Sequence, residues 1–301
     1  MRLFALLFAA AGLLGAQVIP EVRKLAQAGD LAGAEARLAT AKGTGAWTPE
    51  LLVAHSWLGR GALASKKWDE AFAFSAETRR LALEMLTGRE FDVEPNLPLA
   101  LGASIEVHGL ALARTGRRSE SVSFLKGELK RWHGTSVRTR TQKNLHLVSL
   151  EGQQAPKLET KLFAGPVKMK SLKDFRGKPV LLFLWAHWCP DCKTQGPVIE
   201  AMRKEFPGVA IIAPTQRYGY VANGEDAPKE KETPYISVVQ KERYAWMSDL
   251  PMPISEESFR LYGVSSTPTL VLLDRAGLVR MYHPGQMTEG ELREALARIS
   301  K

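Results

Sequence analysis

Cysteine is scarce: the 301 residues contain two. So few thiols exclude a disulfide framework. They also exclude a tetrathiolate zinc site, which needs four ligands where this pair supplies two. Long apolar runs are scarce as well. The strongest, residues 3–16 behind Arg2, stops short of the roughly 20 apolar residues that a membrane span requires. One positive charge, a short apolar core and the small Ala16 read instead as a secretory signal over residues 1–17. Leu14 is larger than the residue usually found three before a cleavage point, so the cut is less well marked than the signal. No cysteine follows the run, which argues against lipid attachment, and no stable membrane span is expected after cleavage. Acidic residues are the minority charge, 32 against 41 basic, for a net +9. The basic clusters Arg114, Arg117-Arg118 and Lys130-Arg131 alternate with Glu on helical patterns. They read as solvated helix faces rather than a nucleic-acid surface, and weak attraction to an anionic membrane remains open.

The two cysteines sit together in Trp188-Cys189-Pro190-Asp191-Cys192-Lys193. Lys178 to Ala186 is a short apolar run behind Gly177 and reads as a buried strand; residues 193–206 read as a helix. A Cys-x-x-Cys at such a junction puts the first sulfur at a helix N-terminus, where free N–H groups and the dipole favour a thiolate. Pro190 suits the first helical position, since its missing N–H would have had no partner. The pattern points to a reversible dithiol/disulfide couple. Zinc would find only two ligands, with His187 expected to point away from at least one sulfur. A purely structural bridge closing so short a loop removes little entropy from the unfolded chain. A peroxidatic cysteine is disfavoured by Ala186, where Thr or Ser is usual.

Later, Ser265-Ser266-Thr267-Pro268-Thr269-Leu270-Val271-Leu272-Leu273 places a proline at the head of an apolar strand, since proline cannot sit inside a central ladder. A turn at Arg275-Ala276-Gly277, a strand over 278–282 and a helix over 288–299 follow. With Gly177-Lys178-Pro179, Trp185-Ala186-His187-Trp188-Cys189-Pro190-Asp191-Cys192 and Pro197, these residues resemble the TlpA/ResA-like family of extracytoplasmic thiol–disulfide oxidoreductases. The resemblance covers about residues 150–301. It implies a thioredoxin-like fold with a central mixed sheet flanked by helices, a cis-Pro268 facing the cysteines, and a Thr267 backbone that receives a substrate chain. It also implies a small hairpin from 157–163 and 167–171, turning at Ala164-Gly165-Pro166. Two family acids are missing: Gln195 stands where Glu is common, and Phe183 where thioredoxins carry a buried acid. Asp191 is then the acid beside the pair, and its charge should oppose the helix terminus at Cys189.

Residues 18–148 lack strand-like alternation and are rich in Ala, Leu, Arg and Glu. Three polar turns, Gly29-Asp30, Lys66-Lys67 and Gly116-Arg117, each precede an amphipathic helix with a small residue at Ala34, Ala71 or Ser121. Trp57-Leu58-Gly59, Trp68 and Ala71 fall at spacings that resemble a degenerate tetratricopeptide repeat, with an insert over 87–98; an ordinary helical bundle is the competing reading. Residues 150–156 mark a Gly/Pro boundary, and residues 216–232 read as a long surface loop whose Tyr218 and Tyr220 either line a groove or simply pack.

The expected protein is therefore an exported, periplasmic or extracytoplasmic thiol–disulfide oxidoreductase. It has a helical-repeat domain over 18–148 and a thioredoxin-like domain over 149–301. Cys189 is the exposed nucleophile, Cys192 the buried resolving thiol, and Trp185 and Trp188 flank them as apolar packing. Protein thiols or disulfides and a redox partner are the expected partners, with no nucleic acid, metal or organic cofactor. A helical scaffold carrying a vestigial redox domain is the alternative, disfavoured by the presence of both cysteines and the proline.

Overall fold

Alanine, leucine and glutamate favour helix, and in the first half of the chain nothing competes with them. In the computed structural model, which describes residues 17–300, the chain divides after Val148 into two compact units. The expected signal lies, over residues 1–16, outside the described residues. The first unit is helical: α1 over 17–27, α2 (Leu31–Lys42), α3 (Pro49–Ala64), α4 (Trp68–Leu86), α5 (Asn96–Arg114), α6 (Arg118–Arg131) and α7 (Val137–Ser149). Apolar residues at helical spacing face inward, such as Val18, Val22 and Ala26 on α1 and Leu31, Ala34 and Leu38 on α2.

The three polar turns share one backbone design. Gly29, Lys66 and Gly116 each have positive φ (81°, 59° and 82°). The next residue in each case donates its N–H back into the preceding helix: Asp30 to the Leu25 carbonyl at 3.0 Å, Lys67 to Ala62 at 2.9 Å and Arg117 to Leu112 at 2.9 Å. These are the bonds that satisfy the last carbonyls of a helix once the chain turns left-handed. Four residues on, Ala34, Ala71 and Ser121 are fully buried, which lets each new helix lie close to the old one.

The second unit contains β1 (Val180–Leu184), α8 (Pro190–Glu205), β2 (Ala210–Ile212), α9 (Lys229–Arg243), α10 (Glu256–Leu261), β3 (Thr269–Leu273), β4 (Val279–Pro284) and α11 (Glu289–Ser300). The strands form a mixed sheet in the order β2-β1-β3-β4, with β1 parallel to β2 and antiparallel to β3, and β4 antiparallel to β3. All five residues of β1 are buried because the sheet is covered on both faces. Period-two alternation divides them. Leu181 and Phe183 join the core built with Ile199, Ile236 and Leu292 of α8, α9 and α11, while Val180, Leu182 and Leu184 join the core under Phe259 of α10. No helix of the described residues is long and apolar enough to cross a membrane.

Two expectations need correction. The 157–163 and 167–171 segments do not pair as a hairpin. Phe163 bridges to Pro253, the Ala164 N–H bonds to the Met252 carbonyl at 2.9 Å and the Ile254 N–H to the Leu162 carbonyl at 2.8 Å. Backbone groups committed to 252–254 cannot also form a local ladder, and residues 171–175 close instead as a capped 3-10 turn. The 216–232 stretch is shorter and better anchored than a free loop. It forms a short 3-10 turn at Ala222–Gly224, bridges Tyr220 to Asp226, and enters α9 at Lys229.

Candidate active site

The end of β1 and the start of β3 lie side by side, because Leu184 pairs with Thr269. That register brings the residue before β3, Pro268, to the turn that follows β1. The Thr267–Pro268 peptide bond is cis, and the Pro268 carbonyl accepts from Gly285 N–H at 2.8 Å. Trp185 fastens the other side: its indole N–H donates to the Ala213 carbonyl at 3.1 Å, and its own carbonyl accepts from Thr215 Oγ1 at 2.8 Å. The chain then turns through Ala186-His187-Trp188 into α8, where Pro190 is the first helical residue.

Cys189 is the N-cap of α8, and its sulfur accepts the Cys192 N–H at 3.0 Å. The same sulfur lies 3.3 Å from the Thr267 carbonyl oxygen. Cys189 and Cys192 are joined as a disulfide, their Cα atoms 5.3 Å apart. In the reduced form an S–H at Cys189 can donate to that carbonyl, whereas a thiolate there retains the helix-terminal N–H. Cys192, one turn in, is fully buried; Cys189 is also covered, at 1% exposure, rather than open as its helix-end position suggests. The exposed rim beside it consists of Trp188, Pro190 and Asp191. Trp188 is therefore not core packing: at 43% exposure it presents an aromatic face, with one edge against Tyr218 (centroids 5.4 Å apart). Trp185 does pack, against Tyr244 at 5.0 Å. Gly196 makes room for that tyrosine, since a Cβ there would sit 3.2 Å from its ring.

Asp191 is exposed, and its carbonyl accepts from the Gln286 amide at 3.0 Å. Gln195 is buried; its side-chain oxygen accepts the Met287 N–H at 2.7 Å and so ties α8 to the chain entering α11. Phe183 is wholly buried. A carboxylate at position 183 would have to enter an apolar core, whereas at position 195 the neutral amide already serves the Met287 N–H.

The largest surprise is a buried histidine–carboxylate hydrogen bond beside the motif. His187 donates Nε2–H to Glu232 Oε1 at 3.1 Å, both side chains about 1% exposed. Glu232 also accepts the backbone N–H groups of Tyr218 at 2.5 Å and Gly219 at 2.8 Å. The rings of Tyr218, Tyr220 and Tyr235 stand edge-on around the imidazole at 5.4–5.7 Å. Burial holds His187 below its ordinary pKa; Glu232 opposes this and Lys193 adds to it, so the ring is neutral at neutral pH. One carboxylate thus pins the 216–221 segment to the turn carrying Cys189. The acidic first turn of α9, Lys229-Glu230-Lys231-Glu232, was the available sequence signal. Reading residues 216–232 as loop hid Glu232. No cluster of three or more His, Cys, Asp or Glu suited to a metal exists among the described residues.

The profile of the AhpC/TSA family matches residues 151–282. The thioredoxin-like protein YneN of Bacillus subtilis is 33% identical over 150 residues, 48% of this chain and 78% of that protein. A thiol:disulfide interchange protein DsbE of Xylella fastidiosa (strain Temecula1) is 32% identical over 50% of this chain and 72% of its own length. The thiol-disulfide oxidoreductase ResA of Bacillus thuringiensis subsp. konkukian is 28% identical over 50% and 78%. With its mixed sheet, its cysteine pair at the head of α8 and these relatives, the chain belongs, through its C-terminal half, to the thioredoxin-like thiol–disulfide oxidoreductases of the ResA/DsbE type.

Proposed function

We propose that this protein is an exported enzyme that exchanges disulfides with protein thiols outside the cytoplasm, using Cys189 as the attacking sulfur and Cys192 as the resolving one. The observation that carries this reading is the placement of Cys189 Sγ as N-cap of α8, 3.0 Å from the Cys192 N–H and 3.3 Å from the Thr267 carbonyl. The helix terminus stabilises a thiolate at that sulfur. In the reductive direction the Cys189 thiolate attacks a substrate disulfide, one substrate sulfur leaves as a thiolate and takes up a proton, and a mixed disulfide forms. Cys192 then loses its proton and attacks Cys189 Sγ, which closes the internal disulfide and releases the second substrate sulfur. Two electrons pass to the substrate, and the oxidative direction reverses each step. Pro268 and the Thr267 backbone line the approach, and Trp188 offers an aromatic surface to the incoming chain. Export is supported by the N-terminal pattern Arg2 plus residues 3–16.

The test is trapping. Cys189→Ser should abolish insulin reduction by dithiothreitol, while Cys192→Ser should accumulate mixed disulfides through Cys189, visible as higher-mass bands on non-reducing gels. Trapping through Cys192 in the Cys189→Ser protein would reverse the assignment. A wild-type protein without turnover would favour the scaffold reading.

A further inference from the structure

Disulfide exchange between Cys189 and Cys192 gives Glu232 no part, yet its side chain is only about 1% exposed. Burying a carboxylate is costly, and it persists only where donors converge on it. Three do so here. His187 Nε2–H approaches at 3.1 Å, and the backbone N–H groups of Tyr218 and Gly219 at 2.5 and 2.8 Å. One group on α9 therefore ties the turn after β1 to the segment after β2. A carboxylate accepts from all three donors, whereas an amide would turn its own N–H toward one of them.

The consequence reaches Trp188. Tyr218, held by its N–H, sets its ring edge-on against His187 at 5.7 Å and against Trp188 at 5.4 Å, the latter planes 86° apart. Tyr218 is fixed at its far end as well: its hydroxyl is buried, and its ring packs against both cores beside the sheet. Trp188 directly precedes Cys189 and is otherwise open, at 43% exposure. An indole with one edge supported keeps fewer rotamers than a free one. A substrate chain that lies against it then has less to order on binding.

We propose that Glu232 is a positioning residue for substrate selection. By fixing Tyr218 against Trp188, it makes the protein prefer polypeptide disulfides whose cysteine is flanked by an apolar side chain over small disulfides that do not reach the indole. The inference rests on the disulfide-exchange reading of Cys189 and Cys192. A purely architectural Glu232 would differ in its effect, since its loss would slow both kinds of substrate alike.

The test uses the full chain, reduced beforehand and mixed with one of two oxidants. One is a peptide disulfide with phenylalanine beside each cysteine, the other hydroxyethyl disulfide. Acid quenching and thiol alkylation then report how fast the cysteine pair oxidises at each substrate concentration. Glu232→Gln should lower the peptide-to-hydroxyethyl-disulfide rate ratio about threefold to tenfold. The loss should appear in the half-saturating peptide concentration more than in the limiting rate. Trp188→Ala should lower the ratio too, and adding Glu232→Gln to it should lower the ratio no further, because the two act as one unit. Glu230→Gln, an exposed carboxylate on the same helix, should leave the ratio unchanged. An unchanged ratio in Glu232→Gln, equal slowing of both substrates, or additive losses in the double variant would overturn the proposal. If Glu232→Gln loses its far-ultraviolet circular dichroism, Glu232→Asp, which keeps the charge but falls one methylene short, takes its place under the same criteria. A wild type that reacts with neither disulfide refutes the exchange reading and this inference with it. A wild type active on both, with any of the overturning results, refutes this inference alone.

Discussion

At the scale of single residues, burial decides which titratable groups can change charge. His55 on α3 is the clearest case. Its Nδ1 lies 2.8 Å from Thr78 Oγ1, and Trp47 and Phe74 stand edge-on to its ring. Burial lowers its pKa from 6.5 to about 4, with Glu77 opposing weakly. The unfolded chain therefore binds a proton between pH 6.5 and 4 that the folded chain refuses. Stability supplied by neutral His55 is complete above pH 6.5 and is lost as pH falls toward 4. A shift of this size corresponds to about 3 kcal/mol. His55→Gln should remove that slope: the unfolding free energies of wild type and variant should converge by about this amount between pH 7 and pH 4.5. Parallel curves in urea titrations at the two pH values would refute the assignment. His187 is governed by the same physics, but its carboxylate partner Glu232 opposes the burial that lowers it.

At the scale of elements, one turn design recurs and is strained at a single occurrence. Gly29 and Gly116 occupy the left-handed position after α1 and α5, while the same position after α3 is Lys66, with φ 59° and an exposed side chain. A non-glycine residue with a Cβ costs about 1 kcal/mol or more in this conformation. Lys66→Gly should therefore stabilise the helical unit by about 0.5–1 kcal/mol, the left-handed gain being partly offset by the freer unfolded chain. Thermal unfolding of the two proteins checks this, and a lower melting temperature for the variant would mean that Lys66 makes a contact worth more than its strain. The three turns were legible because glycine, polar residues and a small residue four positions on have a local cause. The 157–171 hairpin was misread because its backbone partners, Met252 to Ile254, lie some 90 residues away. Local pattern carries no trace of such pairing.

At the scale of the molecule, each unit closes its own core. The mixed sheet is covered on both faces by residues of the second unit, and Leu150 belongs to that core. A fragment beginning at Ser149 should accordingly fold alone and reduce insulin with dithiothreitol at a rate within a few-fold of the full chain. A folded but inactive fragment would show that the helical unit contributes to the chemistry itself.

What the sequence determined by itself was local or repetitive. The Cys189-Pro190-Asp191-Cys192 pair at a strand–helix junction, the proline ahead of β3, the helical character of the first half and its three turns all follow from neighbours a few residues apart. Tertiary structure decided what depends on distant partners. Cys189 is covered and Trp188 exposed because Thr267, Gln286 and Tyr218 close around the turn from three other segments. Glu232 became part of the site because the pleat and the turn after β1 carry His187 to it across 45 residues. Glu106 gathers cations from helices 34–46 residues away for the same reason. Short-range preference sets what each segment can form, whereas the burial of a charge and the company it keeps are settled only when separate elements pack together.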